Sequence, residues 1–169
     1  MTGWLRRRWK TLLVEALILV GVLAAVQAWQ SRGLPEGAAP PLQGVLTNGE
    51  PATVDAGGTA RLVVFWATWC PVCKAEEGNI EAVARDWPVL SVAMQSGKAA
   101  EVQKHLQERG LSVPALVDED GRHAALWKVR GVPTHFVIDP AGQIRFRVVG
   151  YATGWGLRVR LWWAQRFPA

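Results

Sequence analysis

Ala60-Arg-Leu-Val-Val-Phe-Trp-Ala-Thr-Trp-Cys-Pro-Val-Cys73 is the stretch that decides the fold. Its first seven residues form an almost unbroken apolar run, which predicts a strand buried on both faces. Pro71 favours the first turn of a helix. Ile80, Val83, Ala84 and Trp87 then repeat at intervals of three and four until Pro88 stops the pattern. A buried strand thus runs into a helix, and both cysteines sit at the junction.

Working outward, Val45 to Thr47 and Ala52 to Val54 read as a hairpin on a two-residue Asn48–Gly49 turn. Val89 to Met94 is a second buried strand, and Ala99 to Arg109 a helix ended by Gly110. A short strand is expected at Ala115 to Val117 and a short helix at His123 to Val129. Thr134 to Ile138 and Gln143 to Val149 read as strands joined by a tight turn at Asp139–Pro140–Ala141–Gly142. Trp155 to Arg166 closes the chain as a helix with Leu157, Leu161 and Ala164 on one face. Strands alternating with helices imply an α/β layer fold with crossover connections.

Leu12 to Trp29 is apolar apart from Glu15 and Gln27, and 18 residues of helix span roughly 27 Å, enough for a bilayer core. Arg6, Arg7, Arg8 and Lys10 precede it, so the positive-inside bias leaves residues 1–10 in the cytoplasm and exports the chain beyond Trp29. Trp4, Trp9 and Trp29 flank the run as interfacial aromatics, and Glu15 lies near the cytoplasmic end, where snorkelling lowers the cost of a charge. The expectation is a single transmembrane signal anchor at 11–29, a linker at 30–41 rich in Gly and Pro, and one domain over 42–169. Cleavage after a signal peptide at Val26–Gln27–Ala28 is the alternative, and it also exports the domain.

The charge of +5 invites a nucleic-acid reading, but four of the 19 basic residues crowd the first ten positions. With those and Glu15 set aside, 15 basic residues face 13 acidic ones and no basic stripe remains for phosphates. Two cysteines are too few for a disulfide-stapled scaffold, and His105, His123 and His135 are too scattered to complete a zinc site with them. The histidines are assigned no role. No metal or cofactor is expected beyond the dithiol itself.

Thiol–disulfide exchange needs a thiolate, a second sulfur to release it, and access for a partner's disulfide. Cys70 at a helix start meets unpaired N–H groups and the positive end of the dipole, which favour its thiolate and make it the nucleophile. Cys73, one turn later and more buried, is the resolving thiol. Glu76, a further turn on, is a candidate to shuttle a proton or modulate the thiol, with Glu77 as competitor and a plain solvated face as the alternative. Trp66 and Trp69 frame the motif, Trp69 being the better candidate for an exposed rim. Gly131–Val132–Pro133–Thr134 opens a predicted central strand, an unusual place for proline.

Phe65-Trp-Ala-Thr-Trp-Cys-Pro-Val-Cys73 and Gly131-Val-Pro-Thr134, set 63 residues apart from Cys70 to Pro133, resemble the TlpA/ResA-like branch of membrane-tethered thioredoxin-like proteins. Val92-Ala-Met-Gln-Ser-Gly97 and Val149-Gly-Tyr-Ala-Thr-Gly-Trp-Gly156 are similar to the anchored thioredoxin-like protein of the suppressor-of-copper-sensitivity system. The likeness covers roughly residues 42–166. It implies a thioredoxin-like fold, a central mixed sheet flanked by helices, with an N-terminal hairpin and an inserted strand–helix unit. Pro133 is then a cis-proline beside the disulfide, Val132 offers its backbone to an extended substrate, and Trp69, Pro71, Val72, Pro133 and Thr134 complete the substrate surface. The implied activity is periplasmic disulfide exchange with protein partners, on the bacterial inner membrane, fed by a membrane electron donor. The family's Cys-Lys-x-Glu tail falls on Lys74 and Glu76. Gly78 departs from the proline of many relatives. Thr134 stands where cytochrome-maturation reductants carry glutamate, which argues against the alternative of a thiol reductant for cytochrome c maturation. A Cu(I)-binding or copper-tolerance role is the alternative of another class; two thiolates support it and the scarcity of Met and His speaks against it.

Overall fold

The computed structural model describes residues 2–54 and 57–169, with side chains described from Arg8 onward, so the ring of Trp4 and the charges of Arg6 and Arg7 lie outside it. Two compact units divide the chain, Met1–Arg32 and Gly33–Ala169. The first is one helix, α1 (Thr2–Gln30), of which Arg8–Gln30 is long and apolar enough to cross a membrane.

The second unit contains, in chain order, β1 (Gly37–Ala38), β2 (Gln43–Val45), β3 (Pro51–Thr53), β4 (Arg61–Trp66), α2 (Pro71–Ala84), β5 (Val89–Met94), α3 (Ala99–Glu108), β6 (Ala115–Asp118), α4 (Arg122–Leu126), β7 (Thr134–Ile138), β8 (Gln143–Val149) and α5 (Gly154–Arg166). Six strands form a mixed sheet in the order β1-β8-β7-β4-β5-β6, and β2 and β3 pair as a separate hairpin. β4 lies at the centre, parallel to β5 and antiparallel to β7.

Its unbroken apolar run is explained by what covers each face. Val63 and Phe65 point to a core shared with Leu42, Leu116, Trp127 and Phe136. Leu62 and Val64 point to the opposite face, against Ile80 and Val83 of α2 and Leu157 and Leu161 of α5. Alternation along one strand therefore feeds two cores, and from Leu62 to Trp66 no position is left for a polar residue. A third cluster, Trp66, Cys70, Cys73, Val102 and Leu106, closes the end of the sheet where the cysteines lie.

Two local expectations are corrected. The stretch 30–41 is not a tether throughout: Leu34 is buried in the first core, and Gly37–Ala38 pair with Ile144 and Gln143 on the sheet edge. A two-residue strand needs only its backbone, and Gly/Pro-rich composition carries no periodicity to announce it. The hairpin turn is also longer than two residues. Leu46 and Glu50 pair across it, with the Gly49 N–H donating to Leu46 O and Gly49 at φ +87°. That is a three-residue loop whose last position requires the left-handed region, which Gly49 supplies.

Candidate active site

The turn from β4 into α2 sets the cysteines. Cys70 caps the helix in an extended conformation, with Pro71 in the first turn, and Cys70 Sγ accepts the Cys73 N–H at 3.1 Å. The two are joined as a disulfide with Cα atoms 5.3 Å apart. A backbone N–H aimed at Sγ and the helix N-terminus around it both favour negative charge on Cys70 once the bond opens. Burial does not separate the two sulfurs as expected, since Cys70 is 3% and Cys73 2% exposed. Their neighbours do. Cys70 is flanked by exposed Trp69, Pro71 and Val72, whereas Cys73 lines a partly open cavity of about 40 Å³ with Trp66, Glu76, Glu77 and Ser91.

Pro133 arrives from the far side because β7 is the antiparallel neighbour of β4, with Thr134 opposite Phe65. The Val132–Pro133 peptide bond is cis, and the Val132 carbonyl oxygen lies 3.5 Å from Cys70 Sγ. Val132 is half-buried and Pro133 buried. Thr134 is 1% exposed and its hydroxyl donates to Gly131 O at 2.7 Å, so it shapes the loop and offers no surface to a substrate. That corrects its expected place among the contact residues. Trp66, by contrast with Trp69, is core, its indole N–H donating to Ser91 Oγ at 2.6 Å.

Glu76 is buried on the inner face of α2. Its Oε1 lies 2.9 Å from His135 Nε2, and its Oε2 accepts the Ala152 N–H at 2.9 Å. The solvated-face alternative for Glu76 is thereby excluded. Glu77, the competitor, turns to α3, where it accepts from Arg109 and meets His105 Nε2 at 3.2 Å. His135 has a place in the site that its sequence position does not disclose. Its ring is fully buried, with Nδ1 3.3 Å from Val148 O, and its partner is 59 residues away.

Both longer motifs serve as brackets. The Trp69 indole N–H donates to Gln95 O, and the Thr68 N–H to Ser96 Oγ, which itself donates to Met94 O. Gln95 and Gly97 take positive φ, and a Cβ at Gly97 would strike the Glu101 carboxylate. In the second motif, the Gly150 N–H donates to Pro133 O and Ala152 holds Glu76. Asn79 of α2 donates to Tyr151 Oη and Ala152 O. Among the described residues no group of three or more His, Cys, Asp or Glu gathers as a metal ligand set.

The model of the AhpC/TSA family matches residues 37–147. A thioredoxin-like protein of Haemophilus influenzae is 33% identical over 107 residues, 63% of this chain and 64% of that protein. The thiol:disulfide interchange protein HelX of Rhodobacter capsulatus is 34% identical over 97 residues, 57% of this chain and 55% of its own length. The matched stretch thus spans just over half to just under two thirds of these relatives. A crystal structure described as a putative thiol:disulfide interchange protein DsbE from Chlorobium tepidum superimposes with a TM-score of 0.69 at 24% identity, covering 79% of this chain and 99% of that one, which shows the shared fold. With its mixed sheet, its dithiol at the end of β4 and its family match, the chain belongs to the AhpC/TSA family as a thioredoxin-like homologue of thiol:disulfide interchange proteins.

Proposed function

We propose that this chain is a membrane-anchored thiol–disulfide oxidoreductase that exchanges disulfides with polypeptide partners. The observation that carries the reading is the Cys70–Cys73 disulfide at the mouth of α2, with Cys70 Sγ against Val132 O. In the reducing direction, the Cys70 thiolate attacks one sulfur of a partner disulfide. The partner's S–S bond breaks as the mixed disulfide forms, and the expelled thiolate takes a proton. Cys73 then loses its proton and attacks Cys70 Sγ, which closes the internal disulfide and frees the partner's second thiol. Two electrons pass from the dithiol to the partner, and a membrane thiol donor restores them.

Val132 supports this as the backbone station for an extended partner chain, beside Pro133, with Trp69, Pro71 and Val72 as the exposed rim. Glu76, backed by His135, is placed to accept the Cys73 proton through the cavity that Cys73 and Glu76 share. α1 supports anchorage, and the basic residues before it support a cytoplasmic N-terminus with the domain in the periplasm. The narrower placement in the copper-sensitivity system rests on the two motifs at Val92–Gly97 and Val149–Gly156.

Trapping tests the reading. Full-length Cys73→Ala should accumulate thiol-reversible adducts with partner polypeptides on non-reducing gels, while Cys70→Ala should form none and lose insulin disulfide reduction. Undiminished reduction by the Cys70→Ala protein would overturn it.

A further inference from the structure

Helix α5 buries one face and leaves the other without cover. Leu157, Leu161 and Ala164 pack inward, as Thr153 caps the helix by accepting the Gly156 N–H. Outward stand Trp155, Val159, Trp162 and Trp163, exposed by 78, 51, 55 and 47%. Their spacing of four, seven and eight residues puts them on a single stripe along the helix. Trp87 extends it on one side and Phe146 on the other, each sharing a shallow hollow with Trp155.

Soluble surfaces seldom display several tryptophans side by side; such a patch marks a contact. The charge pattern says with what. α5 carries Arg158, Arg160 and Arg166 and no acidic residue. Arg158 is paired with Asp86, two residues beyond α2, whereas among the described residues the guanidinium of Arg160 meets a backbone carbonyl, Gly156 O, and no acidic group. Beside the Arg158–Asp86 pair, the helix itself offers tryptophan and arginine and no acid. That composition is found in helices that lie in a lipid interface, where the indole spans the apolar–polar boundary and the guanidinium meets phosphate. The chain itself supplies the membrane: four peptide steps separate Gln30, the end of α1, from Leu34, the first residue buried in the domain's core, at full extension roughly 14 Å.

We propose that the outer face of α5 is a membrane-docking surface that seats the domain on anionic phospholipid headgroups. The proposal rests on the anchorage read from α1, and it adds a second, peripheral contact to that anchor. Such seating restricts the tumbling of the domain and so fixes which way Cys70 faces above the bilayer.

The test uses the full-length chain labelled with fluorotryptophan in phosphatidylcholine nanodiscs containing about a third phosphatidylglycerol. The lipids carry a nitroxide at the headgroup–acyl boundary, and single Trp→Phe variants assign the fluorine resonances. Trp29 reports anchorage by α1, and buried Trp127 sets the background. The resonances of Trp155, Trp162 and Trp163 should broaden several-fold beyond those of Trp127 and Trp69. The excess should fall several-fold in an Arg160→Glu/Arg166→Glu variant and in nanodiscs of phosphatidylcholine alone. A broadened Trp29 with α5 rings at the Trp127 level would overturn the docking and leave anchorage intact. An unbroadened Trp29 would overturn the anchorage, and the α5 rings would then decide the docking by themselves. Shifts of the α5 rings with protein concentration, without nitroxide broadening, would assign the face to a second copy and overturn the proposal.

Discussion

Glu76 Oε1 and His135 Nε2 face each other at 2.9 Å between α2 and β7, with both side chains sealed from solvent. Their remaining polar atoms are met as well: Glu76 Oε2 accepts the Ala152 N–H, and His135 Nδ1 faces the Val148 carbonyl. Two polar side chains are accommodated in a core when they meet each other and the backbone in this way.

Removing either partner leaves the other buried without its mate. His135→Ala and Glu76→Ala should each destabilise the fold by about 3–5 kcal/mol, read by urea unfolding of the oxidised protein. The double variant should cost less than the sum of the singles by roughly 0.5–3 kcal/mol. Strict additivity would show that the two residues act independently.

Glu76→Gln preserves shape while removing the carboxylate that is placed to take the Cys73 proton. Under the proposed mechanism, formation of the mixed disulfide at Cys70 should keep its rate. Its resolution by Cys73 should slow on the order of a hundredfold, followed by rapid acid quench of single turnovers. Equal slowing of both steps would place Glu76 in the scaffold alone.

Trp69 is exposed but steered by its bond to Gln95 O, which makes it a fixed rim beside Cys70. Trp69→Ala should weaken capture of a polypeptide disulfide by about 2 kcal/mol, roughly 30-fold in kcat/KM. Reduction of a small aromatic disulfide should barely change. A parallel loss on both substrates would move the effect from recognition to the thiol.

Ser96→Ala strips the Thr68 N–H of its acceptor and frees the turn that carries Trp69 toward Cys70. A cost of about 1 kcal/mol is expected, with faster hydrogen exchange at the Thr68 amide and no change at amides of β4. Unaltered exchange at Thr68 would show that the bracket is held elsewhere.

The sequence discloses those features whose cause is local. β5, β7 and β8 lie where the sequence pattern places them: β5 and β7 are buried in the sheet, and β8 alternates polar with apolar residues. The junction at Cys70 is legible for the same reason: strand, proline and helix pattern lie within a few residues. β1 is hidden because two backbone pairs on an edge leave no trace in side-chain chemistry. His135 is hidden by distance, as a polar residue inside an apolar strand names no partner until β7 is laid beside α2. Spacing alone does not show that Glu76 meets His135 of β7 while Glu77 meets His105 and Arg109, since neighbouring positions on α2 face different elements.

β4 and β7 run in opposite directions, so the last rungs of one coincide with the first of the other, Phe65 beside Thr134. The sulfur-bearing turn and the proline loop are thus fastened to each other laterally, and no peptide path between them is needed to keep them together. A circular permutant of the Gly33–Ala169 domain, with a linker between its two ends and new ends opened at the exposed Gly110 bend, would still assemble both halves of the pocket around the same pair of strands.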